Sequence, residues 1–140
     1  MSAPAVAAPL PEAARALIDR PEFAVLSTTN PDGTHHLCVM WVGRDGDELV
    51  MATKARRRQA VNLRARPRAT VLLHDRAHPT RYVEIRGRGA VVADGPAAVA
   101  LIDRLARAYT GADGHDSTGR PDDAERVLLR IAPERVRVHG

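Results

Sequence analysis

Alternating apolar and polar positions, broken by turn residues, divide most of this chain into short strands. Phe23 to Thr28 (FAVLST) leads into Asn30-Pro31-Asp32-Gly33, where proline presets φ and glycine supplies a positive one. His35 to Gly43 follows as a second strand, apolar enough to predict burial on both faces over part of its length. Asp45-Gly46 closes a hairpin into a third strand, Glu48 to Thr53. Arg68 to His74 is a fourth, and after a loop around Pro79 a long fifth runs from Arg81 to Ala93. It sets Arg81, Glu84, Arg86 and Arg88 outward against Tyr82, Val83, Ile85 and Val91, and Gly87 and Gly89 predict a bulge. Glu125 to Ile131 supplies a sixth strand, which Val136 to His139 extends.

Three segments follow the helical period instead. Pro11 to Ile18 turns Leu17 and Ile18 inward, and proline is tolerated in its first turn. Arg56 to Ala65 is a second helix, ended by Pro67. Pro96 to Tyr109 places Val99, Ile102, Leu105 and Ala106 on one stripe. The Ala/Pro-rich residues 1–9 are expected to be disordered, and the polar, Gly-rich segment Thr110 to Asp123 to be mobile. Strands outnumber helices and are joined by tight turns. The economical architecture is mainly β: a curled antiparallel barrel with peripheral helices, formed as one domain by residues 10–140.

Composition changes this picture at one place. Between Lys54 and His74 stand Lys54, Arg56, Arg57, Arg58, Arg64, Arg66 and Arg68, with no acidic residue among them. Elsewhere 14 basic residues face 17 acidic ones, so this segment carries all of the +4 net charge. Arginine makes up 20 of the 21 basic residues, which fits a GC-rich genome as readily as a function. Cys38 is the single cysteine, which excludes an internal disulfide and suits a reducing compartment. No apolar run reaches the roughly 18 residues of a membrane span. The opening MSAPAVAAPLPEAARAL lacks the basic n-region of a signal peptide. The expectation is a cytoplasmic protein without a membrane partner.

Arg56, Arg57 and Arg58 at a helix start oppose the helix dipole and repel one another, at about 0.3–1 kcal/mol per exposed charge. An anion there reverses the sign of these terms. Backbone N–H groups at a helix start donate to phosphate, arginine forks match its geometry, and Thr53 can add a hydroxyl. A solvated basic helix is the plain alternative. Nucleic acid is disfavoured, because four aromatic residues (Phe23, Trp41, Tyr82, Tyr109) make a poor stacking platform. No other chemistry competes. His35 and His36 point to opposite faces of a strand, and His74, His78 and His115 lack ligand spacing, so no metal site is expected. Ser27, Ser117 and Thr118 have no visible base partner. Cys38 reads as a small buried hydrophobe, and Trp41 by itself as core or interface.

The ordered set LSTTNPDGT, VMWV, MATKARRRQAVNLRARPRATVLLHD, RYVEIRGRGAVV, ALIDRLARAYTG and VLLRIAPERVRV resembles the pyridoxamine 5′-phosphate oxidase-like split-barrel superfamily. The likeness runs from about Leu10 to Val138 and is nearest to the actinobacterial branch of F420-dependent oxidoreductases. It implies a six-stranded split barrel of the FMN/F420-binding type, forming a homodimer with two cofactor sites at the subunit interface. It also implies a cofactor ring near Val39, Met40, Trp41 and Met51, and a phosphate near Thr53, Arg57, Arg58, Gln59 and Asn62. The second subunit would contribute from Asp75 to Tyr82, including Arg81. This chain departs from the pattern at Gln59, where related sequences carry lysine, and at Val39, where many carry proline.

In such proteins the cofactor carries the hard chemical step, which accounts for the missing nucleophile-and-base constellation. The favoured expectation is an F420-dependent reductase passing a hydride to an electron-poor small molecule: an enone, conjugated ketone, quinone or tetrapyrrole. Tyr82, His36 and His74 are the candidate proton donors. An FMN-dependent oxidase or reductase of the same fold, and a non-catalytic flavin- or F420-binding protein, are the other two expectations.

Overall fold

The computed structural model describes residues 8–111 and 125–140. Among these residues seven strands and three helices follow one another: α1 (Glu12–Asp19), β1 (Ala24–Thr29), β2 (His35–Met40), β3 (Gly43–Asp45), β4 (Glu48–Lys54), α2 (Arg58–Ala65), β5 (Arg68–His74), β6 (Tyr82–Val92), α3 (Gly95–Thr110) and β7 (Arg126–His139). All pairings are antiparallel within one sheet of order β2-β1-β5-β6-β7-β4-β3. The two marginal strands, β2 and β3, are separated in the chain only by Trp41 and Val42. The sheet therefore curls until its margins meet at that corner. The fold is mainly β, a split barrel with helices at its periphery.

Two expectations change here. Among the described residues the barrel has seven strands, because the expected second strand breaks at Trp41. His35–Met40 pairs with β1, while Gly43, its expected last residue, opens a separate short strand, Gly43–Asp45, that pairs with β4. That segment is also not buried on both faces. It is a margin strand in which Leu37 and Val39 are 63% and 65% exposed. The hairpin between β1 and β2 forms as its chemistry dictates, with Gly33 at φ 87° and the Asp32 carboxylate accepting the Thr34 N–H at 3.0 Å.

The register between β6 and β7 shifts at Gly87, as the glycines anticipate, but the extra residue is on the partner strand. Arg86 pairs with Arg135 and Gly87 with Pro133, leaving Glu134 of β7 unpaired. A Cβ on Gly87 would collide with the Ala132 carbonyl, so only glycine allows this approach. β7 runs on through Pro133, which pairs with Gly87 beside the extra residue. The barrel interior is filled by Leu26, Val42, Leu49, Met51, Leu63, Val71, Leu73, Ile85, Leu129 and Ile131. Outside it, α3 starts at an Asp94 cap on the Ala97 N–H and ends at a left-handed Gly111. Its stripe, Ala98, Leu101 and Leu105, packs on Val50 and Leu128.

Residues 1–7 of the segment expected to be disordered, and the segment expected to be mobile from residue 112 on, lie outside the described residues, with His115, Ser117 and Thr118. At Ala8 the N–H donates to the Pro133 carbonyl at 2.7 Å. No helix among the described residues is long and apolar enough to cross a membrane.

Candidate functional site

The margin that the corner creates leaves β2 and β4 facing each other, with the start of α2 alongside. Between them lies a groove of about 620 Å³. Its walls are His36, Cys38, Val39 and Met40 from β2, and Ala52, Thr53 and Lys54 from β4. Arg57, Arg58, Gln59 and Arg126 complete it. An apolar cavity of about 230 Å³ shares Val39, Met40 and Ala52 with the groove and adds Phe23, Trp41, Ile102 and Leu105. The two form one elongated site with a cationic end and an apolar end.

The arginine-dense segment disperses once folded. α2 begins at Arg58, so Arg57 is its N-cap residue and Arg56 precedes the helix; the three do not share a first turn as expected. Arg56 lies 3.7 Å from the Glu125 carboxylate. Arg64 donates to the Ala55 carbonyl at 2.8 Å and Arg66 to that of Thr29 at 3.0 Å. Arg68 lines a different cavity on the outer face, with His35 and Leu37. Lys54, Arg57 and Arg58 are the members of the segment that reach the groove, and no carboxylate lines it. No side chain caps α2, and the Arg57 carbonyl accepts its first helical bond from Val61. This donor set suits an anionic oxygen.

Gln59 and Asn62 are held by the protein itself. The Gln59 Nε2 group donates to Thr53 Oγ1 at 3.2 Å and lies 3.5 Å from Met40 Sδ, so one carboxamide touches both walls. Asn62 is fully buried and donates to Thr28 Oγ1 at 3.1 Å and Asn30 Oδ1 at 3.0 Å. It pins α2 to β1 rather than lining the groove, and its Oδ1 has no partner among the described residues. Met51 is likewise in the barrel interior, not against the groove. Burial pushes the Cys38 thiol up in pKa, which keeps it a neutral wall group.

Of the three candidate proton donors, His36 lines the groove. His74 and Tyr82 oppose each other across β5 and β6, and Tyr82 stacks on His139 at 4.3 Å. Arg81 and Asp75 neighbour them, with Asp75 holding the Ala77 N–H at 2.9 Å. One chain therefore does not bring Asp75, Arg81 or Tyr82 to its own groove. Among the described residues no group of three or more His, Cys, Asp or Glu is placed to hold a metal ion.

Tyr109 is the participant that sequence reasoning missed. Its ring stacks on Trp41, and it meets Phe23 at 5.5 Å. The signal for it was available: it ends the α3 stripe that also supplies Ile102 and Leu105. Burial raises the Tyr109 pKa, with Glu22 acting the same way against the Val42 N–H, so the phenol stays neutral.

Solved structures with this fold include one named as an F420 reductase, 30% identical, covering 91% of this chain and 98% of its own, with a TM-score of 0.79. A conserved hypothetical protein from Mycobacterium tuberculosis is 28% identical over 99% of this chain and 89% of its own, with a TM-score of 0.76. General Stress Protein 26 from Bacillus anthracis shares the fold at 21% identity and TM-score 0.71, with 91% and 92% covered. No curated protein matches the chain. The pyridoxamine 5′-phosphate oxidase family model matches residues 10–140. With that match spanning the whole barrel, the chain belongs to the pyridoxamine 5′-phosphate oxidase family.

Proposed function

We propose that this chain is an oxidoreductase that binds coenzyme F420 in the groove and passes a hydride to an electron-poor organic acceptor. The observation that carries the reading is the continuity of a cationic groove with an apolar, Trp41-lined cavity through the shared wall Val39, Met40 and Ala52. The 30% identical structure named as an F420 reductase supports it. When bound, a deazaflavin supplies two-electron hydride chemistry, and the protein supplies position and electrostatics. Arg57 and Arg58 hold the anionic part by charge-assisted hydrogen bonds. Val39, Met40 and Trp41 form the wall for the ring, while Phe23, Ile102 and Leu105 keep water from it. His36 is the candidate proton donor that lines the groove.

The exposed apolar side of β2 suits burial by a second copy, which would make the protein a homodimer and bring Asp75, Arg81 and Tyr82 of that copy to the site. Large exposed apolar side chains grouped on one face are characteristic of such interfaces. Titration of the protein with F420 and with FMN, read by Trp41 fluorescence, tests the assignment. F420 is expected to quench, and reduced F420 should then turn over with one member of an enone, quinone and tetrapyrrole panel. Quenching by FMN alone would replace F420 with the flavin, and binding without turnover would leave a carrier. Silence with both cofactors removes the reading.

A further inference from the structure

The amide of Gln59 has two N–H donors, and both have partners within the protein: Thr53 Oγ1 at 3.2 Å and Met40 Sδ at 3.5 Å. A thioether sulfur only accepts, so its contact fixes which end of the carboxamide is nitrogen. Gln59 therefore has no donor left for a ligand, although it lines the groove and is 8% exposed. Thr53 has the complementary situation. Its oxygen receives the Gln59 N–H on one lone pair, and among the described residues nothing accepts its own proton, which is left to donate. Thr53 lines the same groove at 7% exposure, beside Arg57 and Arg58.

We propose that Gln59 is a positioning residue for anion recognition: it acts through Thr53, turning that hydroxyl outward as a donor to a phosphate oxygen in the groove. Resting on the reading of the groove as a phosphorylated-cofactor site, this adds the residue that orients the neutral donor among the cations. A carboxylate at the position would do the reverse, accepting the Thr53 proton and drawing it inward. The contact with Met40 also ties β2 to β4, and this purely structural role must be separated from the relay.

A double-mutant cycle separates them. Affinities for F420, FMN and phosphate-free riboflavin are read by Trp41 quenching in wild type, Gln59→Leu, Thr53→Val, the double variant and Gln59→Glu, each checked by circular dichroism. A hydrogen bond to a charged group corresponds to about tenfold in affinity. Thr53→Val should weaken the phosphate-bearing ligands by about that factor, and Gln59→Leu by a smaller one. Adding Gln59→Leu to Thr53→Val should then change nothing further. Gln59→Glu should weaken binding most, and riboflavin should not distinguish the variants. An undiminished Gln59→Leu effect in the Thr53→Val background, or equal losses for riboflavin, overturns the relay while leaving the site assignment intact. Wild type that binds none of the three ligands overturns both.

Discussion

The rings of Trp41 and Tyr109 stack with centroids 5.3 Å apart and planes 20° from parallel. The same phenol donates to the Glu22 carbonyl at 2.6 Å and accepts the Val42 N–H at 3.1 Å. α3 thus locks the corner where the sheet passes from one margin to the other. Tyr109→Phe keeps the stacking and leaves the Val42 N–H without this acceptor. It should cost about 1–3 kcal/mol in urea unfolding, the usual penalty of an orphaned donor. An unchanged midpoint would mean that water replaces the hydroxyl there.

Arg57 and Arg58 make no ion pair among the described residues, so removing them should not weaken the fold. Arg57→Ala with Arg58→Ala should lower F420 affinity by about a hundredfold if each contributes a charge-assisted bond. The loss should shrink as salt screens the wild-type attraction. Titrations at low and high ionic strength check this, with thermal melts as the control.

Exposed Leu37 and Val39 on a margin strand predict a concentration-dependent assembly. Leu37→Lys with Val39→Lys places charge on that face and should yield monomers in analytical ultracentrifugation. Wild-type protein that sediments as a monomer at every concentration would dispose of the dimer.

The acid behaviour follows from carboxylates held below their ordinary range. Arg15 beside Asp47, helped by the Leu10 N–H, lowers the Asp47 pKa, and Arg44 does the same to Asp19. A carboxyl depressed in the folded state stabilises it above the unfolded pKa of about 3.9, and that contribution disappears as pH falls through the lower folded value. Asp47→Asn should therefore be less stable than wild type at neutral pH, with the gap closing below about pH 4. Urea melts across about pH 2.5 to 7 measure it. A constant gap would show that the carboxylate charge is not the cause.

Gly87→Ala drives a methyl group into the Ala132 backbone at the bulge, where neither strand can yield alone. The expected loss is at least about 3 kcal/mol, the upper part of the overpacking range. Yield of folded protein and the melting midpoint report it directly.

Local chemistry made the first hairpin, α3 and the bulge legible, because turn residues, helical period and paired glycines act within a few positions. The exposure of Leu37 and Val39 was not legible. Whether an apolar run lies inside or at a margin depends on sheet order, which residues far along the chain decide. The dispersal of the arginines was hidden for a related reason. Helix, loop and strand aim neighbouring side chains in different directions, so one run of charge supplies a groove, two backbone contacts and an outer face. The pairing of Phe23 and Trp41 with Tyr109 needed the fold itself. The continuity of β7 between Ile131 and Val136 also depended on pairing far along the chain, with Pro133 set against Gly87.

The two-residue corner has a consequence for how this protein can change. β2 and β4 are far apart across the sheet but near neighbours along the chain, so His36 to Gln59 furnish every groove wall except Arg126. Ligand preference can drift through substitutions confined to that stretch, while β5, β6 and β7 preserve the barrel unaltered.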